Sequence, residues 1–199
     1  MPLGKDTATS ADHSAPEDCP NCEAHHPEFD RASAAVHYAP PWSTLISRLK
    51  FQGDVALARP MGAMVAQAVA PRWAGHPRHK PDLVLPMPVS RPRLQERGYN
   101  QSWLLARHCA QALALPCRHD VLLRTRHTAR LMSLSAEDRA LALREAFTVP
   151  TAHTRWVRGR HVALVDDVLT TGATLDAASM ALREAGASSI SAWVFARTP

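Results

Sequence analysis

Residues 162–175, VALVDDVLTTGATL, carry the strongest constraint in the chain. Val162 to Val165 are four apolar residues without polar alternation, so a strand built from them must be buried on both faces. A polar turn follows, then a helix reading LDAASMALREAG with Gly186 as its C-terminal cap. A strand covered on both faces belongs to a mostly parallel sheet with helices on either side. The rest of the chain repeats that alternation. SAAVHY (33–38) reads as a strand that Pro40-Pro41 ends. Trp42, Leu45, Ile46 and Leu49 then fall on one helical face, and Gly53 stops the helix. VALARPMGAMVAQAVA (55–70) is a second helix, with Pro60 in its first turn or at a kink. LVLPMPV (83–89) is a buried strand leading into a loop, and Asn100 caps a helix over QSWLLARHCAQALA. VLL (121–123) is a short strand and 124–133 a loop. Ser135-x-x-Asp138 resembles a capping box opening AEDRALALREAF, and SISAWVFA is a closing strand. The expected fold class is α/β. In such sheets ligands lie at the carboxyl ends of strands, which points to the turns after Leu85 and Val165.

Asp166 and Asp167 follow the apolar run directly. Two carboxylates there need hydroxyl donors, a cation or water. In Thr170-Thr171-Gly172-Ala173-Thr174, small residues let backbone N–H groups curl round an anion, and a helix N-terminus adds partial positive charge. Acceptors for sugar hydroxyls thus lie beside a cradle for phosphate, and a sugar phosphate satisfies both. The plain alternative is a capped strand-to-helix turn. A Walker B strand also ends in acid, but no G-x-x-x-x-G-K-[ST] occurs, which argues against a P-loop NTPase.

The formal charge of +5 is unevenly placed. Eight arginines and only two acids lie between Arg91 and Arg130. That field implies an anionic partner, a phosphorylated metabolite or a nucleic acid, unless it is a solvated basic surface. The loop PMPVSRPRLQERGYNQ brings Arg91, Arg93 and Arg97 together with Gly98.

The segment VALVDDVLTTGATL resembles the ribose-phosphate-binding motif of type I phosphoribosyltransferases. HYAPPWSTLISRLKFQG (37–53), VLPMPVSRPRLQERGYNQS (84–102) and DRALALREAF (138–147) further resemble the ComF/GntX family, phosphoribosyltransferase-like proteins linked in some bacteria to DNA uptake during competence. The resemblance implies a type I phosphoribosyltransferase-like domain over residues 31–199, with residues 1–30 a disordered appendage. It implies 5-phosphoribosyl 1-pyrophosphate as ligand. Asp166 and Asp167 would take the ribose hydroxyls and stand at the catalytic centre. Thr170, Thr171, Gly172, Ala173 and Thr174 would take the 5′-phosphate. Arg97 and Arg91 would meet the pyrophosphate. Lys50 would join them, or else simply favour the C-terminal dipole of its helix. Mg²⁺ would be held mainly by the substrate's own oxygens. Segment 124–133 occupies the place of the loop that closes over substrate. Leu131 and Ala142 stand where the family usually has Gln and Asn, which bears on acceptor binding or on catalysis itself. Two functions follow: a phosphoribosyltransferase in DNA uptake or nucleotide metabolism, or a non-catalytic sugar-phosphate-sensing or single-stranded-DNA-handling module of the competence machinery. Tryptophans 42, 73, 103, 156 and 193 form no evident stacking array, which weighs against direct DNA binding.

Cys19-Pro-Asn-Cys22 has the spacing of half a zinc site, which His13, His25 or His26 could complete. Family members commonly carry further C-x-x-C pairs upstream. None precedes Cys19 here, so the alternative is a remnant finger without zinc. Cys109 and Cys117 read as ordinary small residues. No apolar run long enough for a transmembrane helix exists, and the first 18 residues lack a signal-peptide core, so a cytoplasmic location without membrane insertion is expected. No motif encodes the acceptor or the oligomeric state.

Overall fold

The structure, a computed structural model, describes residues 27–73, 79–125 and 145–199. Four strands, β1 (Arg31–His37), β2 (Leu83–Pro86), β5 (His161–Leu169) and β6 (Ser189–Arg197), form one parallel sheet in the order β1-β6-β5-β2. β3 (Leu123–Arg124) and β4 (Phe147–Thr148) make a separate antiparallel pair. Among the described residues the α-helices are α1 (Trp42–Phe51), α2 (Ala58–Val69), α3 (Arg91–Arg97), α4 (Gln101–Ala112) and α5 (Ala173–Glu184).

Alternation along the strands splits the core in two. Val162, Leu164, Ile190, Ala192 and Val194 pack with Ala178 and Leu182 of α5 on one face. Ala163, Val165, Trp193 and Phe195 pack with Ile46 and Leu49 of α1, Val65 of α2 and Leu105 of α4 on the other. Helices therefore cover both faces, as the unbroken VALV run requires. The α2 and α4 helices approach unusually closely, because Gly62 has no side chain to hold them apart. Trp42, Trp73 and Trp193 belong to the second core, where Trp193 stacks on Trp73 and Trp42 meets Phe195 edge-on. Burial pushes the unpaired Cys109 and Cys117 thiols up to about 12, so both stay protonated and inert.

Several boundaries differ from the sequence reading. The strand does not stop at Val165. Pairing with β6 at Asp166↔Val194, Val168↔Ala196 and Leu169↔Arg197 carries β5 through the paired acids. α5 starts at Ala173, so Ala173 and Thr174 are helical rather than part of the turn. The stretch read as a loop after β2 contains α3, which Pro92 opens and Gly98, at φ 81°, closes. Phe29 and Asp30, assigned to the appendage, are packed into the domain. Phe29 is in the core, and Asp30 accepts from the Ile190 amide and pairs with Arg183. Phe147, read as the end of a helix, opens β4 instead. The capping box at Ser135 and Asp138, most of the loop 124–133, and Leu131 and Ala142 lie outside the described residues.

Candidate functional site

The carboxyl ends of the parallel strands open into a cavity of about 770 Å³. Asp166 and Asp167 form its floor, where β5 runs out beyond the last apolar pairs. The Asp166 Oδ1 accepts from the Ser102 hydroxyl at 2.7 Å and from the Asp167 amide at 2.9 Å. Ser102 is placed by Asn100. The Asn100 Oδ1 caps α4 by accepting from the Ser102 and Trp103 amides, and its Nδ2 donates to the Met87 carbonyl at 3.0 Å. One amide group thus fastens the helix to the end of β2. Asp167 is almost shut from solvent, and Lys50 Nζ lies 3.0 Å from its Oδ2. Lys50 comes from the last turn of α1, which the Tyr99 hydroxyl pins by donating to the Leu49 carbonyl.

Burial, with the Asp167 charge alongside, pushes the Asp166 carboxyl up to about 7, although the Ser102 hydroxyl, the Asp167 amide and Lys50 favour its charged form. Its ordinary value is 3.8. Between the two, the folded protein holds a proton that the unfolded chain has released, so this group's contribution to stability falls as pH rises from about 4 to about 7. Asp166→Asn removes that penalty. Its melting midpoint is expected to exceed the parent's by several degrees near pH 8, with the gap closing below about pH 4. Equal midpoints near pH 8 would mean that ionised Asp166 is not destabilised by burial.

Cations gather on another wall of the cavity. Arg93 and Arg97 are one helical turn apart on α3, and both line it with Arg124 of β3. Arg97 donates to the Gln101 side chain and lies over the Phe51 ring at 5.5 Å. Burial and the nearby Arg93 charge lower the Arg124 guanidinium from its ordinary value, while Asp166 opposes the shift. Thr170 and Thr174 line the cavity beside the N-terminus of α5. Thr171 and Gly172, the latter at φ 81°, form the turn there and Ala173 opens the helix; none of the three lines the cavity.

Lys50, Arg97, Asp166, Asp167, Thr170 and Thr174 therefore meet around one space. Arg91 does not. It faces a second cavity of about 790 Å³ with Leu94, Trp103 and Leu122. Arg93, Arg124 and Ser102 were not singled out from sequence. Arg93 could have been: Ser90, Pro92 and Gly98 mark a short helix, and helical spacing puts Arg93 with Arg97 rather than Arg91. Cys19 and Cys22 lie outside the described residues. Among the described residues, no three His, Cys, Asp or Glu side chains cluster to hold a metal, and no helix is long and apolar enough to cross a membrane.

The phosphoribosyl transferase domain family matches residues 101–199. The chain is 36% identical over 179 residues to Competence protein F of Haemophilus influenzae, spanning 90% of this chain and 78% of that one. It is 34% identical over 182 residues to the DNA utilization protein YhgH of Escherichia coli, with the same coverage of 90% and 78%. Among solved structures, the glutamine phosphoribosylpyrophosphate amidotransferase from B. subtilis complexed with ADP and GMP is 24% identical, with a TM-score of 0.45. That match covers 68% of this chain but only 25% of the amidotransferase. With over a third of the aligned residues identical to Competence protein F along most of both chains, this protein belongs to the ComF family of competence-associated, phosphoribosyltransferase-like proteins.

Proposed function

We propose that the cavity binds 5-phosphoribosyl 1-pyrophosphate and that the protein acts as a phosphoribosyltransferase in DNA uptake or nucleotide metabolism. The observation that carries this reading is the meeting of two adjacent carboxylates with three arginines and Lys50 beside the N-terminus of α5. The ribose 2′- and 3′-hydroxyls donate to Asp166 and Asp167. The 5′-phosphate takes the Thr170 and Thr174 hydroxyls and the amides that open α5. The pyrophosphate lies toward Arg93, Arg97 and Arg124, where negative charge develops as its bond to C1 breaks. An attacking nitrogen forms the new bond to C1, so no protein nucleophile is required. The side chains position the sugar and stabilise the departing charge.

Asp166 and Asp167 are too few to cage a metal alone, and they suit an ion carried in on substrate oxygens. Bound Mg²⁺ would supply further neutralisation of the pyrophosphate, with these carboxylates at its protein side. Calorimetry with 5-phosphoribosyl 1-pyrophosphate and Mg²⁺ tests the site, and pyrophosphate release across a panel of bases tests transfer. Absence of binding would sink the reading. Binding without release would support the non-catalytic sensor instead.

One observation favours nucleic-acid handling as a second reading. Arg118 lies 4.4 Å over the Trp156 ring, and Arg155 and Arg160 lie 5.6 Å from it. Arg160 directly precedes β5, so this cluster sits at the amino ends of the strands, opposite the cavity. An aromatic face among guanidiniums suits a single-stranded backbone and its bases. If so, Trp156→Ala weakens oligonucleotide binding about fivefold or more at constant salt; an unchanged affinity removes this reading.

A further inference from the structure

Among the described residues, five large apolar side chains are exposed: Tyr38, Phe51, Val55, Leu94 and Leu123. The two aromatics among them, Tyr38 and Phe51, both line the cavity that holds Asp166 and Asp167. Phe51 is the most exposed of the five, at 75%. Its backbone is nonetheless held. It ends α1 directly after Lys50, which pairs with Asp167, and α1 is anchored through the Tyr99–Leu49 hydrogen bond. The Arg97 guanidinium lies over its ring. The result is a fixed aromatic surface on a space whose other lining is mostly polar and charged, with Met87, Pro88, Val89 and Val168 as the apolar exceptions. For an ammonium or alkylammonium the cation position over the Phe51 ring is already held by Arg97, and neutral ammonia has no face to lay against it. A planar ring would gain a stacking contact.

We infer that Phe51 is a specificity-determining platform for a planar, ring-nitrogen acceptor, with Tyr38 continuing the same wall. This rests on the sugar-phosphate reading of the cavity and narrows it to one acceptor class. In the corresponding step, a ring nitrogen's lone pair forms the bond to C1 of the ribose. The C1–oxygen bond breaks with its electron pair going to pyrophosphate, and the nitrogen's proton passes to solvent. The product carries a ring, a ribose and a 5′-phosphate together, so it can probe the platform without knowledge of the natural acceptor.

The test compares ribose 5-phosphate with AMP, GMP, CMP and UMP by calorimetry, using the full chain. At least one nucleotide is expected to bind the parent about tenfold or more tightly than ribose 5-phosphate does. Phe51→Ala should remove that advantage while leaving ribose 5-phosphate affinity within about twofold, and Phe51→Tyr should restore it. Because the side chain is exposed, the substitution leaves the core untouched. Ribose 5-phosphate and all four nucleotides binding the parent equally would overturn the inference while leaving the sugar-phosphate site standing. So would an equal loss of both ligand types in Phe51→Ala. Failure of ribose 5-phosphate and every nucleotide to bind would overturn the sugar-phosphate reading itself, and this inference with it.

Discussion

Replacing Asp166 and Asp167 together with alanine is expected to lower affinity for 5-phosphoribosyl 1-pyrophosphate by two decades or more. Each carboxylate is assigned a ribose hydroxyl, and a hydrogen bond to a charged group contributes about 1.5–3 kcal/mol. Loss of both amounts to about 3–6 kcal/mol, or roughly two to four decades in the dissociation constant. The fold should survive, because neither side chain is part of the apolar core. The substitution also removes the carboxyl whose charged form burial, and then the Asp167 charge, disfavour, so the melting midpoint near pH 8 should not fall far. Calorimetry and a thermal melt on the same sample separate the two effects. Unchanged affinity would mean the ribose sits elsewhere. Lost affinity together with a collapsed melt would mean the acids act on the fold rather than on the ligand.

Gly62→Ala is expected to destabilise the protein, against the usual gain of about 1 kcal/mol for alanine over glycine inside a helix. A Cβ at Gly62 would lie 2.8 Å from the His108 Cβ, 2.9 Å from the Leu105 carbonyl oxygen and 3.1 Å from the Cys109 nitrogen. Two of those three atoms are backbone and cannot swing aside. α2 must therefore move off α4 and loosen the packing of Met61 and Val65 against Leu105. Overpacking of this kind costs about 1–3 kcal/mol, occasionally more. At this chain length a net loss of about 2 kcal/mol lowers the midpoint by roughly 4–8 °C. The damage should also reach the site, because α4 carries Ser102 to Asp166. A midpoint equal to or above the parent's would show that the two helices are not in such close contact.

The two features differ in how visible they were beforehand. Asp166 and Asp167 stand out because an apolar run, paired carboxylates and a Thr-Gly turn occupy one continuous stretch. Both apolar strands and most helices were equally local signals, and Asn100 capped its helix as its position suggested. What escaped was settled by pairing between distant segments. β5 reaches Leu169 because β6 lies alongside it, and nothing within DDVL announces that neighbour. Arg124 lines the cavity from the short pair β3–β4, whose strands are separated in sequence by a long intervening segment. Phe29 is buried by contacts with the last third of the chain, including the bond from the Glu28 amide to Asp176. Gly62 reads in sequence as a mild helix defect, and its role emerges only once α4 is laid against it. The helix α3 was legible in principle, but seven residues offer too few turns for a periodic signal to dominate.

The strand order β1-β6-β5-β2 also governs how the molecule can be divided. The two strands from the N-terminal half occupy the outer edges, and the two from the C-terminal half lie between them. A fragment limited to residues 101–199 would keep Asp166, Asp167 and the turn that leads into α5. It would lose both neighbours of the central pair, the Lys50 counter-charge and the arginines of α3. The portion bearing the most recognisable motif is thus not a detachable module. Its inheritance as a working unit requires the less recognisable half to travel with it.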